Sequence, residues 1–217
     1  MRKEREVRVR KLLKKLKVLF PKAEMMLNYS TNWELVVAVV LSAQCTDKMV
    51  NKVTAKLFKK YKKLDDYVHA DIREFEQDIK STGFYKMKAK NVLAGAKVVK
   101  EVFKGRIPKT IKEMITIPGV GRKTANVVLG NAYGIMEGVA VDTHVKRFST
   151  RFDLTDNKTP EKIELDLMQI VPKKDWFNFT YLAIEYGRHI APARKYDTTQ
   201  DPLIKIYPEA AEGWHKG

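Results

Sequence analysis

The feature that most constrains this chain is Pro118-Gly119-Val120-Gly121, set between two stretches of helical period. Upstream, Thr110-Ile111-Lys112-Glu113 has the form of a capping box, so a short helix should start there and be cut off at the proline. Downstream, a new helix should run from Arg122 to about Tyr133. Two glycines let the backbone turn sharply and approach another surface closely. The second helix then opens with amides that have no intrahelical acceptor, at the positive end of its dipole. That arrangement can hold a phosphate through backbone contacts, without reading base sequence. Taken alone, the same four residues equally fit a plain tight turn between helices.

The rest of the chain reads as helical too. Val9, Leu12, Leu13, Leu16, Leu19 and Phe20 lie at helical spacing, and Pro21 should stop that helix. Thr31-Asn32-Trp33-Glu34 fits a capping box and leads into Leu35-Val36-Val37-Ala38-Val39-Val40-Leu41. Branched residues in such a run favour a strand; the cap and the helical surroundings favour a buried helix. Met49 or Val50, with Val53, Leu57 and Tyr61, mark a third helix, Ile72, Phe75 and Ile79 a fourth, and Val92, Leu93, Ala96, Val99 and Phe103 a fifth. Thr159-Pro160 should open another, and Asp175 should cap one that runs through Tyr186-Gly187. The remainder is irregular, with Leu203, Ile204, Ile206 and Tyr207 as packing residues.

Charge and cysteine content narrow the function. Lys and Arg number 42 against 26 Asp and Glu, a formal net charge of +16. Neutralising phosphates is where so large a cationic excess gains affinity, so a polyanionic partner is expected. The single cysteine, Cys45, excludes an intramolecular disulfide and a four-cysteine metal site. The longest strongly apolar run, Leu35 to Leu41, is too short to cross a bilayer, which points to a cytoplasmic protein.

Lys123 falls in the first turn of the helix after the glycines. A lysine chosen to favour that helix would sit in its last turn, next to the negative end of the dipole. The position suits an activated amine or a phosphate contact. Nineteen residues on, Val139-Ala140-Val141 delivers Asp142 to a helix start, before Thr143 and His144. The carboxylate there could be an N-cap, or a group that steadies a positive charge and moves protons.

Three segments, Leu41-Ser42-Ala43-Gln44-Cys45-Thr46-Asp47, Ile117 to Val127 through the glycine turn, and Val141-Asp142-Thr143-His144, closely resemble the endonuclease III family of the helix-hairpin-helix DNA glycosylase superfamily. The resemblance runs from about residue 5 to about 210. It implies an all-α fold of two helical lobes with a helix-hairpin-helix motif and the DNA cleft between them. One lobe would be residues 24–136, and the other residues 1–23 with 137–217. The implied activity is a bifunctional DNA glycosylase and abasic-site lyase of base excision repair, acting as a monomer on oxidised pyrimidines in double-stranded DNA. By motif position, Lys123 and Asp142 are the catalytic pair, facing each other across the lobe boundary. Gln44 would fill the hole left by a flipped nucleotide, Phe84 would act as a wedge, and Asp47 would lie near the lesion. Gly119, Val120, Gly121, Arg122, Thr143 and His144 would also contact DNA.

The chain departs from the family at its C-terminal part. The resemblance implies four cysteines there, holding a [4Fe–4S] cluster. After Gly187 to Lys195, which matches the approach to that loop, those positions read Ala191, Thr198, Asp201 and Tyr207. None is a thiolate ligand, so no iron–sulfur cluster and no other metal is expected. Two further readings are a monofunctional adenine or mismatch glycosylase and a non-catalytic DNA-binding protein. Lys123 argues against the first, and Lys123 together with Asp142 against the second.

Overall fold

Caps and helical period decide the architecture. In the computed structural model, which describes residues 2–193 and 197–212, every regular element is a helix and no strand occurs among the described residues. The all-α expectation therefore holds. The chain divides into two compact units: Met26–Glu137, and Met1–Met25 together with Gly138–Gly217.

The continuous unit holds helices α2 to α8. Helix α2 (Asn32–Leu41) starts where the sequence places it, because the Thr31 hydroxyl accepts from Glu34 N at 3.1 Å and the Glu34 carboxylate accepts from Thr31 N at 3.2 Å. Its residues from Trp33 to Leu41 are all buried. A helix enclosed on every side can carry Val-rich sequence, since burial outweighs the small helical preference lost by branching. It is followed by α3 (Asp47–Lys60), α4 (Leu64–Val68) and α5 (Ile72–Asp78). Next come α6 (Tyr85–Glu101), α7 (Ile111–Met114) and α8 (Arg122–Tyr133). Helix α2 packs on α6 and α8, and α6 also takes α4 and α5. Edge contacts among Trp33, Tyr61, Tyr67 and Phe75 fill the far side of this core.

The second unit joins the chain's first helix to its last three. Helix α1 (Arg2–Leu19) buries Val9, Leu12, Leu13 and Leu16 against α10 (Pro160–Ile170) and α11 (Trp176–His189), and α11 packs on α9 (Thr143–Arg151). Phe148, Phe152 and Tyr186 make the aromatic centre. Part of the basic face of α1 is spent here. Arg5 binds Asp153 and Asp156, at 2.6 and 2.7 Å, and Arg8 binds Asp153 at 2.7 Å.

Two sequence expectations change in detail. Asp175 precedes α11, but it makes no side-chain cap bond; its buried carboxylate accepts from Lys17 Nζ at 2.6 Å. At α7, Thr110 accepts from Glu113 N, while the Glu113 carboxylate takes the Thr110 hydroxyl and not its amide, so only half of the predicted capping box forms.

Candidate active site

The turn between α7 and α8 is shaped by what lies beneath it. Gly119 has φ 82°, and a Cβ there would stand 2.8 Å from Asn91 Cβ on α6. At Gly95, also on α6, a Cβ would stand 3.1 Å from the Ile117 side chain. Glycine is thus required at 119, by its φ and by the contact, and at 95 it gives Ile117 room to pack closely. Val120 is buried and its amide donates to the Ile117 carbonyl at 3.0 Å, while Gly119, Gly121 and Arg122 are exposed. Gly121 is the N-cap of α8 and offers no side-chain cap. The first-turn amides of α8 therefore face outward with no side-chain acceptor supplied by the N-cap. Lys123, the second residue of α8, is exposed.

Asp142 is the N-cap of α9, and its Oδ1 accepts from Val145 N at 2.8 Å. The capping role is thus real, and the half-buried carboxylate keeps Oδ2 outside that bond. Thr143 is exposed. His144 is half-buried against Gly187, where a Cβ would fall 2.3 Å from its Nδ1. Arg147, one turn along, reaches the Ala191 carbonyl at 3.3 Å. Burial lowers its guanidinium from the ordinary value, and the nearby Asp142 charge acts in the opposite sense.

Gln44 and Phe84 lie in the same unit as Lys123 and share an unusual backbone. Both have positive φ, 53° and 48°, which residues with a Cβ seldom adopt. Gln44 is exposed in the turn after α2. Phe84 precedes α6 and is 59% exposed, so it is not the core aromatic that its type alone would suggest. Asp47 opens α3 behind the cap residue Thr46. A cavity of about 770 Å³ in this unit, lined by Trp33, Tyr61, Tyr67, Arg106 and Tyr133 among others, includes none of these predicted site residues.

Comparison with known proteins gives the family. The HhH-GPD superfamily of base excision DNA repair proteins matches residues 37–173, a span that holds Gln44, Phe84, the glycine turn, Lys123 and Asp142. Endonuclease III of Synechocystis sp. (strain ATCC 27184 / PCC 6803 / Kazusa) is 45% identical over 209 residues, covering 96% of this chain and 94% of that protein. Endonuclease III of Bacillus subtilis (strain 168) is 43% identical over 206 residues, 94% of each. A solved non-covalent endonuclease III–DNA complex matches with a TM-score of 0.91 at 38% identity, over 97% of this chain and 98% of that one. The chain belongs to the endonuclease III family. As a member it is a DNA glycosylase of base excision repair. A thermostable thymine-DNA glycosylase, with a TM-score of 0.80 at 22% identity, shares the fold.

The endonuclease III resemblance implies an iron–sulfur cluster, and the residues present do not fit one. Ala191 is buried and apolar. The buried Asp201 carboxylate accepts from the Tyr186 hydroxyl, and from Leu203 N at 2.8 Å. The Tyr207 ring lies under the Arg8 guanidinium, 3.9 Å away. Thr198 opens a 3₁₀ turn, Thr198–Gln200. No thiolate is available at any of the four, and Cys45 belongs to the other unit. Arg194 and Lys195, at the end of the predicted approach to this loop, lie outside the described residues. No group of three or more potential metal ligands occurs among the described residues, and no helix there is long and apolar enough to cross a membrane.

Sequence reasoning passed over Lys88, which is 4% exposed within α6. One signal pointed to it. Lys88 lies four residues before Val92 and so continues the apolar stripe of that helix, where a lysine is out of place.

Proposed function

We propose that this endonuclease III family member is a bifunctional enzyme that removes oxidised pyrimidines from double-stranded DNA and then cuts the strand at the abasic site. The observation that carries the reading is Lys123: an exposed amine in the first turn of α8, directly after a glycine turn whose helix start no side chain caps. The backbone of Gly119 and Gly121, held in place by the buried Val120 between them, binds a phosphate together with Arg122 and so brings the deoxyribose to that amine. The Lys123 amine attacks C1′ of the damaged nucleotide, the glycosidic bond breaks toward the base, and a Schiff base links sugar and enzyme. Loss of a proton from C2′ then expels the 3′ phosphate, and water frees the enzyme. Asp142 acts on the same sugar as the carboxylate that steadies its positive charge and moves protons. Gln44 enters the space left by the flipped nucleotide, Phe84 wedges the stack, and Asp47 lies near the lesion. Thr143 and His144 add contacts to DNA. The enzyme works as a monomer, in the cytoplasm on nucleoid DNA, and without an iron–sulfur cluster.

Borohydride trapping tests this reading. Incubation with abasic duplex and borohydride should give a covalent protein–DNA adduct, and Lys123→Gln should bind the duplex without forming it. Base release without trapping would indicate a monofunctional glycosylase, and binding alone a non-catalytic protein. An adduct that persists in Lys123→Gln would remove Lys123 from its role.

A further inference from the structure

Gln44 and Phe84 are two of the four non-glycine residues with positive φ among the described residues. Left-handed backbone is costly for residues with a Cβ and persists only where its surroundings hold it. Phe84 has no side-chain cap bond of its own. Both turns instead meet at one buried cation. Lys88 stands one turn into α6, and its Nζ donates to the Leu41 carbonyl at 2.8 Å and to the Thr82 carbonyl at 2.7 Å. Leu41 is the last residue of α2, three before Gln44. Thr82 is the last residue of the 3₁₀ turn Lys80–Thr82, two before Phe84. Carbonyls at such ends have no intrahelical donor and carry partial negative charge, so an ammonium suits both. Burial pushes the Lys88 amine below its ordinary value, a penalty that an apolar residue on this stripe would not incur.

We propose that Lys88 is a positioning residue for base extrusion: its ammonium ties the end of α2 to the turn before α6, so that Gln44 and Phe84 are presented to the duplex as one rigid unit. This rests on the reading of Gln44 and Phe84 as the groups inserted into DNA.

A duplex carrying 2-aminopurine opposite the lesion tests it, because emission rises when that base loses its stacking partner. Lys88→Met keeps the apolar stem and removes the ammonium. The rate of the emission rise should fall about tenfold, the scale set by losing charge-assisted hydrogen bonds. In a Gln44→Ala/Phe84→Ala background the same change should have no further effect, because a residue that acts through two side chains has nothing to position once they are gone. If Lys88→Met slowed the rise by the same factor in both backgrounds, Lys88 would be merely structural and the proposal overturned. If the double alanine variant lost the signal while Lys88→Met kept it, the insertion reading would stand and the role of Lys88 would fall. A normal signal from the double alanine variant would end the insertion reading, and this proposal with it. Should Lys88→Met fail to fold, Lys88→Gln is measured against the same outcomes.

Discussion

Asp142 holds two roles that a single substitution can separate. Its Oδ1 caps α9 through Val145 N, and its charge is proposed to act on the sugar. Asparagine caps a helix about as well as aspartate but carries no charge. Asp142→Asn should therefore melt within about 0.5 kcal/mol of wild type while single-turnover base release slows by about 10²–10⁴-fold, the range of a lost acid–base group. Asp142→Ala should show the same rate loss and also about 1 kcal/mol of destabilisation from the missing cap. An unchanged rate in Asp142→Asn, with only Asp142→Ala destabilised, would reduce Asp142 to a cap. Neither role was separable in the sequence, because aspartate before a helix satisfies both descriptions. Phe84 is the converse case. Resemblance alone gave it the role of a wedge, and its 59% exposure and left-handed backbone are properties of the fold.

Among the elements, the C-terminal segment differs most from its sequence reading. Leu203, Ile204, Ile206 and Tyr207 looked like one apolar patch. Leu203 alone of these is fully buried, and the other three are half-exposed. Besides the buried Leu203, polar contacts join the segment to α11 and α1: Tyr186 to Asp201, and Arg8 over Tyr207. A buried carboxylate that loses a donor retains its desolvation penalty, so Tyr186→Phe should cost about 1–3 kcal/mol in chemical denaturation. Leu203→Ala should cost about 2–5 kcal/mol. Ile204→Ala should cost clearly less, because much of its side chain already meets water. The purified protein should meanwhile contain no stoichiometric iron and show no visible cluster absorbance. Iron at one cluster per active chain would refute the cluster-free reading, and a silent Tyr186→Phe would refute the polar account of the segment.

For the whole molecule, the formal charge of +16 is the dominant physical quantity. Arg5, Arg8 and Lys17 pair with Asp153, Asp156 and Asp175 inside their own unit, three charges of each sign that cancel and leave the net excess unchanged. The glycine turn binds phosphate mainly through its backbone, so the remaining cations supply non-specific attraction. Affinity for undamaged duplex should fall steeply with salt; six phosphate contacts would give roughly a 10³-fold loss between 50 and 200 mM. A flat dependence would mean that this charge does not face DNA.

Local rules were enough for the longer helices and for the glycine turn, though not for the short α4 (Leu64–Val68). Thr31 with Glu34, Gly121 before Arg122, and Pro160 at a helix start act within one turn of chain, so their effects are visible in a few consecutive residues. The order of the three motifs likewise carried the family. Other features required the folded chain. That Lys88 bridges Leu41 and Thr82, that Asp175 turns from its own helix to Lys17, and that Gly95 and Gly119 are set by one contact surface all depend on residues distant in sequence. A side chain buried by tertiary packing must find whatever partner the fold places beside it, and no local pattern states which partner that is.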